Sequence, residues 1–253
     1  MVEGLCLPVD RFYDDTFLSA VYDAWHPRAV RDDYDFYLPH ILKANAVVDI
    51  GCGTGTLLQE ARRAGHSGRL CGIDPAPGVL ERARGYPGIE WVLGELQEQR
   101  WEQQFDLAVM TGHAFQAIVT NSDLQSFMTS VRKCLLPGGV FAFETRNPAA
   151  RPWKRWTPEN TASVALSEGT SVLITTELDS DFDGQTVAFT HTFSGNHPSL
   201  PMQSRSTLRF LDMDALRTLI ANAGLRVEQQ FGDFDGNTLT PTSPEIITFA
   251  KRL

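Results

Sequence analysis

The sequence predicts an α/β protein whose parallel sheet is doubly wound, with helices on both of its faces. One observation is the alternation of short apolar strands and amphipathic helices between residues 47 and 146. Continuous apolar strands separated by helices are typical of a buried parallel sheet, and right-handed crossovers place helices on both sides. A second observation is the run VVDIGCGTG, in which Gly51, Gly53 and Gly55 directly follow the first strand.

Each predicted strand of this region is short and leads into a turn or a helix. The expected strands cover residues 47–50, 70–73, 89–93, 105–110 and 140–145. Helices are expected through LLQEARRAG, GVLERARG and DLQSFMTSVRKCLL. Gly65 is a typical stop for the first helix, and Pro77 is typical of the start of the second. Pro137-Gly138-Gly139 is expected to form a turn into the fifth strand.

Two segments depart from this rhythm. Residues 11–43 look helical and carry many aromatic side chains. Residues 151–210 contain the alternating runs SVLITTEL and TVAFTHTF on either side of Asp183-Gly184, which predicts a β-hairpin. Both segments are candidates for a lid. A helix through MDALRTLIANAG and two closing strands, LRVEQQF and EIITFAKR, follow them.

Composition argues against several classes of partner. The chain has 253 residues and a formal net charge of −9, and such a surface repels phosphate backbones, so we expect no nucleic-acid partner. No run approaches about 18 consecutive apolar residues, so we expect no membrane partner. The four cysteines, Cys6, Cys52, Cys71 and Cys134, form no C-x-x-C pair and no metal-ligand spacing. Reduced thiols and the lack of a signal-peptide pattern fit a cytoplasmic protein without a metal site.

The three glycines at alternate positions indicate a ligand. Glycine removes the Cβ atoms that would hold a ligand away and permits a positive φ, at the strand end where open α/β sheets bind ligands. The spacing G-x-G-x-G differs from the G-x-G-x-x-G of dinucleotide folds, which argues against a nicotinamide-dependent dehydrogenase. Asp74 closes the second strand, where a carboxylate can accept both hydroxyls of a ribose. Because Glu95 follows the third strand and can read an adenine edge, the pattern indicates an adenosine with a charged tail.

On these residues the sequence resembles the class I S-adenosylmethionine-dependent methyltransferases. The motif VDIGCGTG is the most specific element, and GID, GEL, FDLAVM and LLPGGVFAFET support it over residues 47–146. The resemblance implies a Rossmann-like sheet of seven strands, mostly parallel, with residues 225–231 and 246–251 as the final pair and the last strand antiparallel. It also implies S-adenosylmethionine as the cofactor and S-adenosylhomocysteine as the product.

The resemblance further implies which residues hold the cofactor. The methionine part would lie by the glycine turn and Asp49, the ribose by Asp74, the adenine by Glu95 and the sulfonium by Thr111. Family members more often have Asp where this chain has Glu95. The residues carried over are Asp49, Gly51, Cys52, Gly53, Asp74, Pro75, Glu95, Leu96 and Thr111.

Methyl transfer is an in-line displacement, so the protein mainly positions the reactants and excludes water. In VYDAWHP, Tyr22 is a catalytic candidate and Trp25 a cofactor contact, because aromatic faces attract a sulfonium cation. Core packing of an N-terminal helix is the alternative for both. Arg28 or Arg31 is either a partner for the cofactor carboxylate or a surface residue.

His113 is the second catalytic candidate, because it follows the fourth strand in MTGHAFQ and histidine titrates near neutrality. A structural or orienting histidine is the alternative. The candidates for acceptor binding lie at the end of the fifth strand and just beyond it, and they are Glu144, Arg146, Asn147 and Trp153.

These features predict an S-adenosylmethionine-dependent methyltransferase that acts on a small molecule, as a monomer or homodimer. An aromatic N-terminal helix and a strand-rich insertion are similar to the small-molecule N-methyltransferases, including those that act on amino sugars. An amine is favoured as the acceptor because a neutral amine needs no strong base. The alternatives are O- or C-methylation of a small metabolite, and a non-catalytic module that binds S-adenosylmethionine and regulates a partner.

The expected organisation has four parts. Residues 1–45 form an N-terminal helical lid segment, and residues 46–150 form the Rossmann-like core that binds S-adenosylmethionine. Residues 151–210 form an insertion after the fifth strand that serves as a substrate lid. Residues 211–253 supply the closing helix and the final strand pair.

Overall fold

A seven-stranded sheet organises the molecule. The computed structural model describes residues 10–166 and 169–253. The strands of this sheet are β1 (Ala46–Ile50), β2 (Arg69–Asp74), β3 (Glu90–Leu93), β4 (Phe105–Met110), β5 (Leu135–Arg146), β10 (Leu225–Phe231) and β11 (Glu245–Arg252). They lie in the order β10-β11-β5-β4-β1-β2-β3. All neighbours are parallel except β11, which runs antiparallel to β5 and β10, so the predicted Rossmann-like sheet is confirmed.

Helices cover both faces of this sheet, as the apolar strands predict. Those that precede β1 are α1 (Arg11–Asp14), α2 (Thr16–Trp25) and α3 (Asp32–Ile41). Those that connect or follow strands are α4 (Thr56–Arg63), α5 (Pro77–Ala83), α6 (Asn121–Cys134) and α7 (Met213–Asn222). Val47 and Val48 on β1 are both fully buried, but Val47 packs in a cluster with Tyr37 and Val48 in one with Phe141. Adjacent residues of one strand therefore serve two separate cores.

A second sheet lies in the insertion after β5. Its antiparallel strands, in the order β6-β7-β8-β9, are β6 (Ala162–Ala165), β7 (Ser171–Leu178), β8 (Thr186–Gly195) and β9 (Met202–Arg209). The pairing of β7 with β8 around Asp183-Gly184 confirms the predicted hairpin. The strand-rich insertion is therefore a sheet of its own.

The N-terminal helices pack against this second sheet. Phe12 and Leu18 belong to one apolar cluster with Val172 and Phe193 of β7 and β8. The side chain of Asp10, just before α1, accepts hydrogen bonds from two serine hydroxyls of β9. The N-terminal segment and the insertion are therefore joined by apolar and polar contacts.

Some local expectations differ from the structure. The helical stretch 11–43 is divided into three helices, because Asp15 is extended and Pro27 begins a break before α3. The turn expected at residues 137–139 falls inside β5, where the register with β4 shifts and Gly138 has a φ of 79°. Cys6 lies outside the described residues, whereas the other three cysteines are buried free thiols.

No helix among the residues that the structure describes has the length and apolar character needed to cross a membrane.

Candidate active site

The turn between β1 and α4 is left-handed at each of its glycines. Gly51, Gly53 and Gly55 have φ angles of 71°, 53° and 75°. A Cβ atom on Gly55 would lie 2.2 Å from the Trp91 ring, whereas a Cβ atom on Gly53 would have no atom within 4 Å. Packing therefore requires glycine at position 55, and Gly53 leaves open space at the end of β1.

Asp74, the last residue of β2, holds this turn. Its Oδ2 accepts a hydrogen bond of 2.9 Å from the Gly53 N–H, and its Oδ1 accepts one of 2.8 Å from the Ala76 N–H. Burial raises the pKa of Asp74 to about 6, although both hydrogen bonds favour the ionised form. The carboxylate lies at the junction of two strand ends, which is where the resemblance places the ribose.

Asp49 lies deeper, at the end of β1. Its side chain is buried, and its Oδ1 has no hydrogen-bond partner within the described part of the chain. Burial, together with the nearby charge of Asp74, raises the pKa of Asp49 to about 8. A buried carboxylate oxygen without a donor is costly, so the site is suited to a cationic group such as the amino group of the expected cofactor.

A cavity of about 330 Å³ lies between the glycine turn and the N-terminal segment. Tyr22, His26 and Arg31 line it from the N-terminal side, and Gly53 and Thr111 line it from the strand ends. Burial lowers the pKa of His26 to about 4, so this imidazole is neutral near pH 7. The cavity therefore combines aromatic surfaces, two arginines and open backbone.

Asp23 of α2 closes the cavity against the turn. Its Oδ1 accepts a hydrogen bond of 2.8 Å from the Thr54 hydroxyl. Its Oδ2 forms an ion pair of 2.9 Å with Arg82 of α5. The helix that covers the cavity is thus attached to two elements of the core.

Arg28 and Arg31 both line this cavity. The Arg31 guanidinium donates to both oxygens of Asp33, at 2.8 and 2.6 Å, and lies 4.0 Å from the centre of the Tyr34 ring. Arg28, which the sequence does not distinguish from Arg31, pairs with Asp35 and Glu60. Arg31 is the more buried of the two, with 11% of its side chain exposed against 33% for Arg28.

The residues expected to bind the adenine lie just after β2 and β3. Glu95 begins the short helical turn after β3, where it forms a capping box with Glu98. Leu96 is 3% exposed and packs in the core, and Pro75 is half-buried directly after Asp74. Cys52 lines the cavity at the glycine turn, and burial raises the pKa of its thiol well above the usual value.

His113 follows β4 close to the cavity. Its Nε2 lies 2.9 Å from Oε2 of Glu245, the first residue of β11. Burial lowers the pKa of His113 to about 3 and raises the pKa of Glu245 to about 7. Glu245 is not among the residues predicted from the sequence, although an acid at the start of the final strand is the signal that could have indicated it.

Glu144 forms a hydrogen bond with the loop that contains His113. One of its oxygens accepts a hydrogen bond of 2.8 Å from the His113 N–H, and the other accepts one of 2.6 Å from the Tyr37 hydroxyl. The side chain is fully buried, and burial raises its pKa. Glu144 therefore holds the backbone of the candidate catalytic residue.

Arg146 lies beside this pair at the end of β5. Its positive charge lowers the pKa of His113, and its Nη1 donates to Gln116 at 3.2 Å. Gln116, fully buried after β4, also accepts from the Arg146 backbone N–H at 3.2 Å. Arg146 is thus held in place by a residue that the sequence analysis did not single out.

Three further expected residues lie away from the cavity. The amide of Asn147 is used by the backbone, since its Nδ2 donates to Ser243 and its Oδ1 accepts from Ala149. Trp153 packs against Phe210 and lines a separate cavity of about 810 Å³. Trp25 contacts the ring of His191, on β8, rather than the glycine turn. Tyr22 alone of the two N-terminal aromatics lines the cavity.

Comparison with known proteins supports a methyltransferase. Residues 47–139 match the family described as Methyltransferase domain. The chain is 32% identical over 155 residues to the uncharacterized methyltransferase sll0829 of Synechocystis sp., which covers 59% of this chain and 70% of that protein. It is 23% identical over 214 residues to the cypemycin N-terminal methyltransferase of Streptomyces sp., which covers 83% of this chain and 84% of that protein.

A third relative matches the core alone. The chain is 31% identical over 119 residues to a ubiquinone biosynthesis O-methyltransferase of Methylobacterium sp., covering 45% of each protein. This chain therefore spans less than half of that relative's length.

Solved structures share the fold over nearly the whole chain. The CcbJ methyltransferase from Streptomyces caelestis has a TM-score of 0.75 at 20% identity, covering 95% of this chain and 97% of that one. The amino pentose methyltransferase CalS10 from Micromonospora echinaspora, solved with S-adenosylmethionine bound, has a TM-score of 0.67 at 20% identity, covering 94% and 97%. Both include a counterpart for most of the insertion, because the coverage extends well beyond the core.

Substitution of two turn glycines is expected to separate packing from ligand binding. Gly53→Ala places a methyl group in the cavity, so affinity for S-adenosylhomocysteine is expected to fall at least tenfold. Its thermal stability changes only by the left-handed strain of about 1–2 kcal/mol. Gly55→Ala adds overlap with Trp91 and is expected to lose about 1–3 kcal/mol more. Calorimetric titration measures the affinity and thermal unfolding the stability. If Gly53→Ala binds S-adenosylhomocysteine with wild-type affinity, the ligand does not bind at this turn.

The raised pKa of Asp49 predicts a specific pH dependence of stability. Between about pH 4 and pH 8 the folded, ligand-free protein keeps a proton on Asp49 that the unfolded chain has lost, so stability falls as pH rises. The slope from this group is at most about 1.4 kcal/mol per pH unit. Asp49→Asn lacks it, so its stability relative to wild type is expected to rise across this range. Urea unfolding at several pH values tests this, and parallel curves for the two proteins contradict it.

Proposed function

The chain belongs to the class I S-adenosylmethionine-dependent methyltransferases, and on this basis we propose that it methylates an amine of a small molecule. The family assignment rests on the matching domain and on a relative that is 32% identical and 70% covered. S-adenosylmethionine is therefore the cofactor and S-adenosylhomocysteine the product. The observation that carries the amine proposal is the contact between His113 and Glu245.

The residues at the glycine turn fit this cofactor. The unpartnered oxygen of Asp49 suits an amino group, Arg31 suits a carboxylate, and the open space at Gly53 admits a ligand close to the backbone. Asp74 is placed to accept hydrogen bonds from a ribose. When bound, the cofactor supplies a methyl group that is already activated by the sulfonium. Tyr22 is the aromatic residue that we propose to face this cation.

The proposed proton acceptor is the His113–Glu245 pair. An amine reaches the site largely as an ammonium ion and must lose one proton before its lone pair can attack. Because burial raises the pKa of Glu245 to about 7, this pair can accept that proton near neutral pH. An aliphatic hydroxyl group holds its proton far more strongly than an ammonium ion and needs a stronger base. The chemistry of the pair therefore favours an amine over an aliphatic alcohol.

The names of similar proteins agree with an amine acceptor. The relative aligned over 83% of this chain is named an N-terminal methyltransferase, and CalS10 is described as an amino pentose methyltransferase. The O-methyltransferase relative supports the second candidate, O-methylation, but its alignment covers only 45% of this chain. We favour the amine because the likeness to the N-terminal methyltransferase extends over 83% of this chain.

We propose that the N-terminal segment and the insertion exclude water from the reaction. Asp23 attaches α2 to the glycine turn, and Phe12 packs against the second sheet. A closed chamber strengthens the electrostatic contacts within it and holds the reactants in line. We further propose a cytoplasmic location, because Cys52, Cys71 and Cys134 are free thiols that a reducing compartment preserves.

The function is tested by turnover of the natural acceptor. Incubation with methyl-labelled S-adenosylmethionine and a fractionated metabolite extract is expected to yield a labelled small product. Mass spectrometry is expected to place the label on nitrogen. A label on oxygen or carbon would replace the amine proposal with O- or C-methylation. The absence of a labelled product in every fraction, with tight cofactor binding retained, would favour a regulatory module.

Removal of one member of the proposed His113–Glu245 pair is expected to lower turnover but not cofactor binding. His113→Ala is expected to lower kcat by about 10²–10⁴-fold and to leave S-adenosylhomocysteine affinity within about twofold. In wild type the rate is expected to rise with pH through about 7 as Glu245 ionises. In Glu245→Gln this rise of the rate with pH is expected to be absent.

The matched control for this experiment is Glu228→Gln, which removes an ion pair with Lys251 on the closing strands. Its pH–rate profile is expected to match wild type. If Glu245→Gln keeps the wild-type profile as well, the pair does not accept the proton.

A further inference from the structure

Arg146 is a cation whose expected partner is already engaged. In the antiparallel pairing of β5 with β11, Arg146 lies directly opposite Glu245. The Glu245 carboxylate, however, contacts the His113 ring at 2.9 Å. Within the described residues no carboxylate oxygen lies within 4.0 Å of the Arg146 guanidinium. The cation therefore lies beside the proposed base without an ion pair of its own.

The arginines in and beside the neighbouring cavity behave differently. Arg31 donates to both oxygens of Asp33, Arg28 pairs with Asp35, and Arg82 pairs with Asp23. Each of these charges is neutralised within the protein. Arg146 is half-buried, and burial lowers its pKa although the nearby charge of Glu245 acts in the opposite direction. Half-buried cations of this kind are normally paired, so an anionic partner from outside the chain is the simplest completion of the site.

One edge of the guanidinium is available for that partner. Nη1 donates to Gln116, while no acceptor among the described residues bonds to Nε or Nη2. The N–H groups of Nε and Nη2 point in parallel and match the two oxygens of a carboxylate. Gln116 also binds the Arg146 backbone, so the orientation of this edge is fixed from two sides.

The surroundings of Arg146 belong to the acceptor side of the site. Burial lowers the pKa of His26 and of His113, and the nearby charge of Arg146 adds to this effect. The guanidinium carbon of Arg146 lies 5.7 Å from the centre of the Trp156 ring. The residues that line the cofactor cavity do not include Arg146, whereas they do include Arg31. A carboxylate bound here would therefore belong to the second substrate.

We propose that Arg146 binds a carboxylate of the methyl acceptor, so that the acceptor is a small amine that also carries a carboxylate. This inference rests on the amine acceptor proposed above and narrows it to aminocarboxylates. The ammonium end of such a molecule faces the His113–Glu245 pair, and its carboxylate lies on the free edge of Arg146. The ammonium and the carboxylate of the acceptor thus face Glu245 and Arg146, which lie opposite each other on β11 and β5.

The test uses acetate as the simplest carboxylate probe and acetamide as its neutral counterpart. Both are titrated into the full chain saturated with S-adenosylhomocysteine, and the arginine Nε–H signals are followed by NMR. The Arg146 signal is assigned by its loss in Arg146→Lys and, independently, by through-bond connection to the backbone. It is expected to shift saturably with acetate, at least tenfold below the concentration that affects exposed Arg155, and acetamide is expected to shift neither.

Two outcomes would overturn the proposal. Arg146 and Arg155 responding at the same acetate concentration would show a general anion effect. A shift of Arg146 on addition of S-adenosylhomocysteine alone, with no later response to acetate, would assign the residue to the cofactor carboxylate.

The labelled-extract experiment separates this inference from the proposed function. Labelled products that bind an anion exchanger at about pH 11, where a methylated amine is neutral and a carboxylate keeps its charge, are expected. An N-methylated product without an acidic group would overturn the aminocarboxylate while the methyltransferase stands. Label on oxygen would contradict the amine, and the acetate titration would still report whether Arg146 binds a carboxylate.

Discussion

The hydrogen bond from the Gly53 N–H to Asp74 is the contact on which the site depends. It joins the turn after β1 to the end of β2, two elements that the parallel sheet brings side by side. The turn can accept this contact only because its glycines adopt left-handed backbone angles. An open backbone, a buried carboxylate and a helix N-terminus consequently meet at one strand edge, where open α/β sheets bind their ligands.

Burial of charge explains how the remaining site is built on this edge. Asp49 and Glu144 are buried acids, and burial raises the pKa of each. Glu144 is satisfied by Tyr37 and the His113 backbone, whereas one oxygen of Asp49 has no partner within the described chain. The unpartnered oxygen of Asp49 therefore indicates where a ligand amino group binds, whereas Glu144 supports the loop that contains His113.

Local patterns in the sequence were sufficient for the sheet and for the glycine turn. Alternating strands and helices give parallel order, and a hairpin signal such as Asp183-Gly184 acts over a few residues. The contact of His113 with Glu245 joins residues 132 positions apart and depends on the register of β11, which no local pattern specifies. The sequence also did not separate Arg31 from Arg28, because their contacts depend on tertiary packing that no local pattern specifies. Trp25 and Asn147 were assigned by position alone, and tertiary contacts engage them elsewhere.

Binding of the nucleoside at the joined ends of β1 and β2 is the central claim, and one titration tests it most directly. Asp74→Asn keeps the size of the side chain and one of the two acceptors that hold the Gly53 and Ala76 N–H groups, and it removes the charge offered to a ribose. Because hydrogen bonds to a charged group contribute about 1.5–3 kcal/mol each, calorimetry is expected to show S-adenosylhomocysteine binding weakened at least tenfold in this variant, with its fold retained. Equal affinity in Asp74→Asn and wild type would contradict the account.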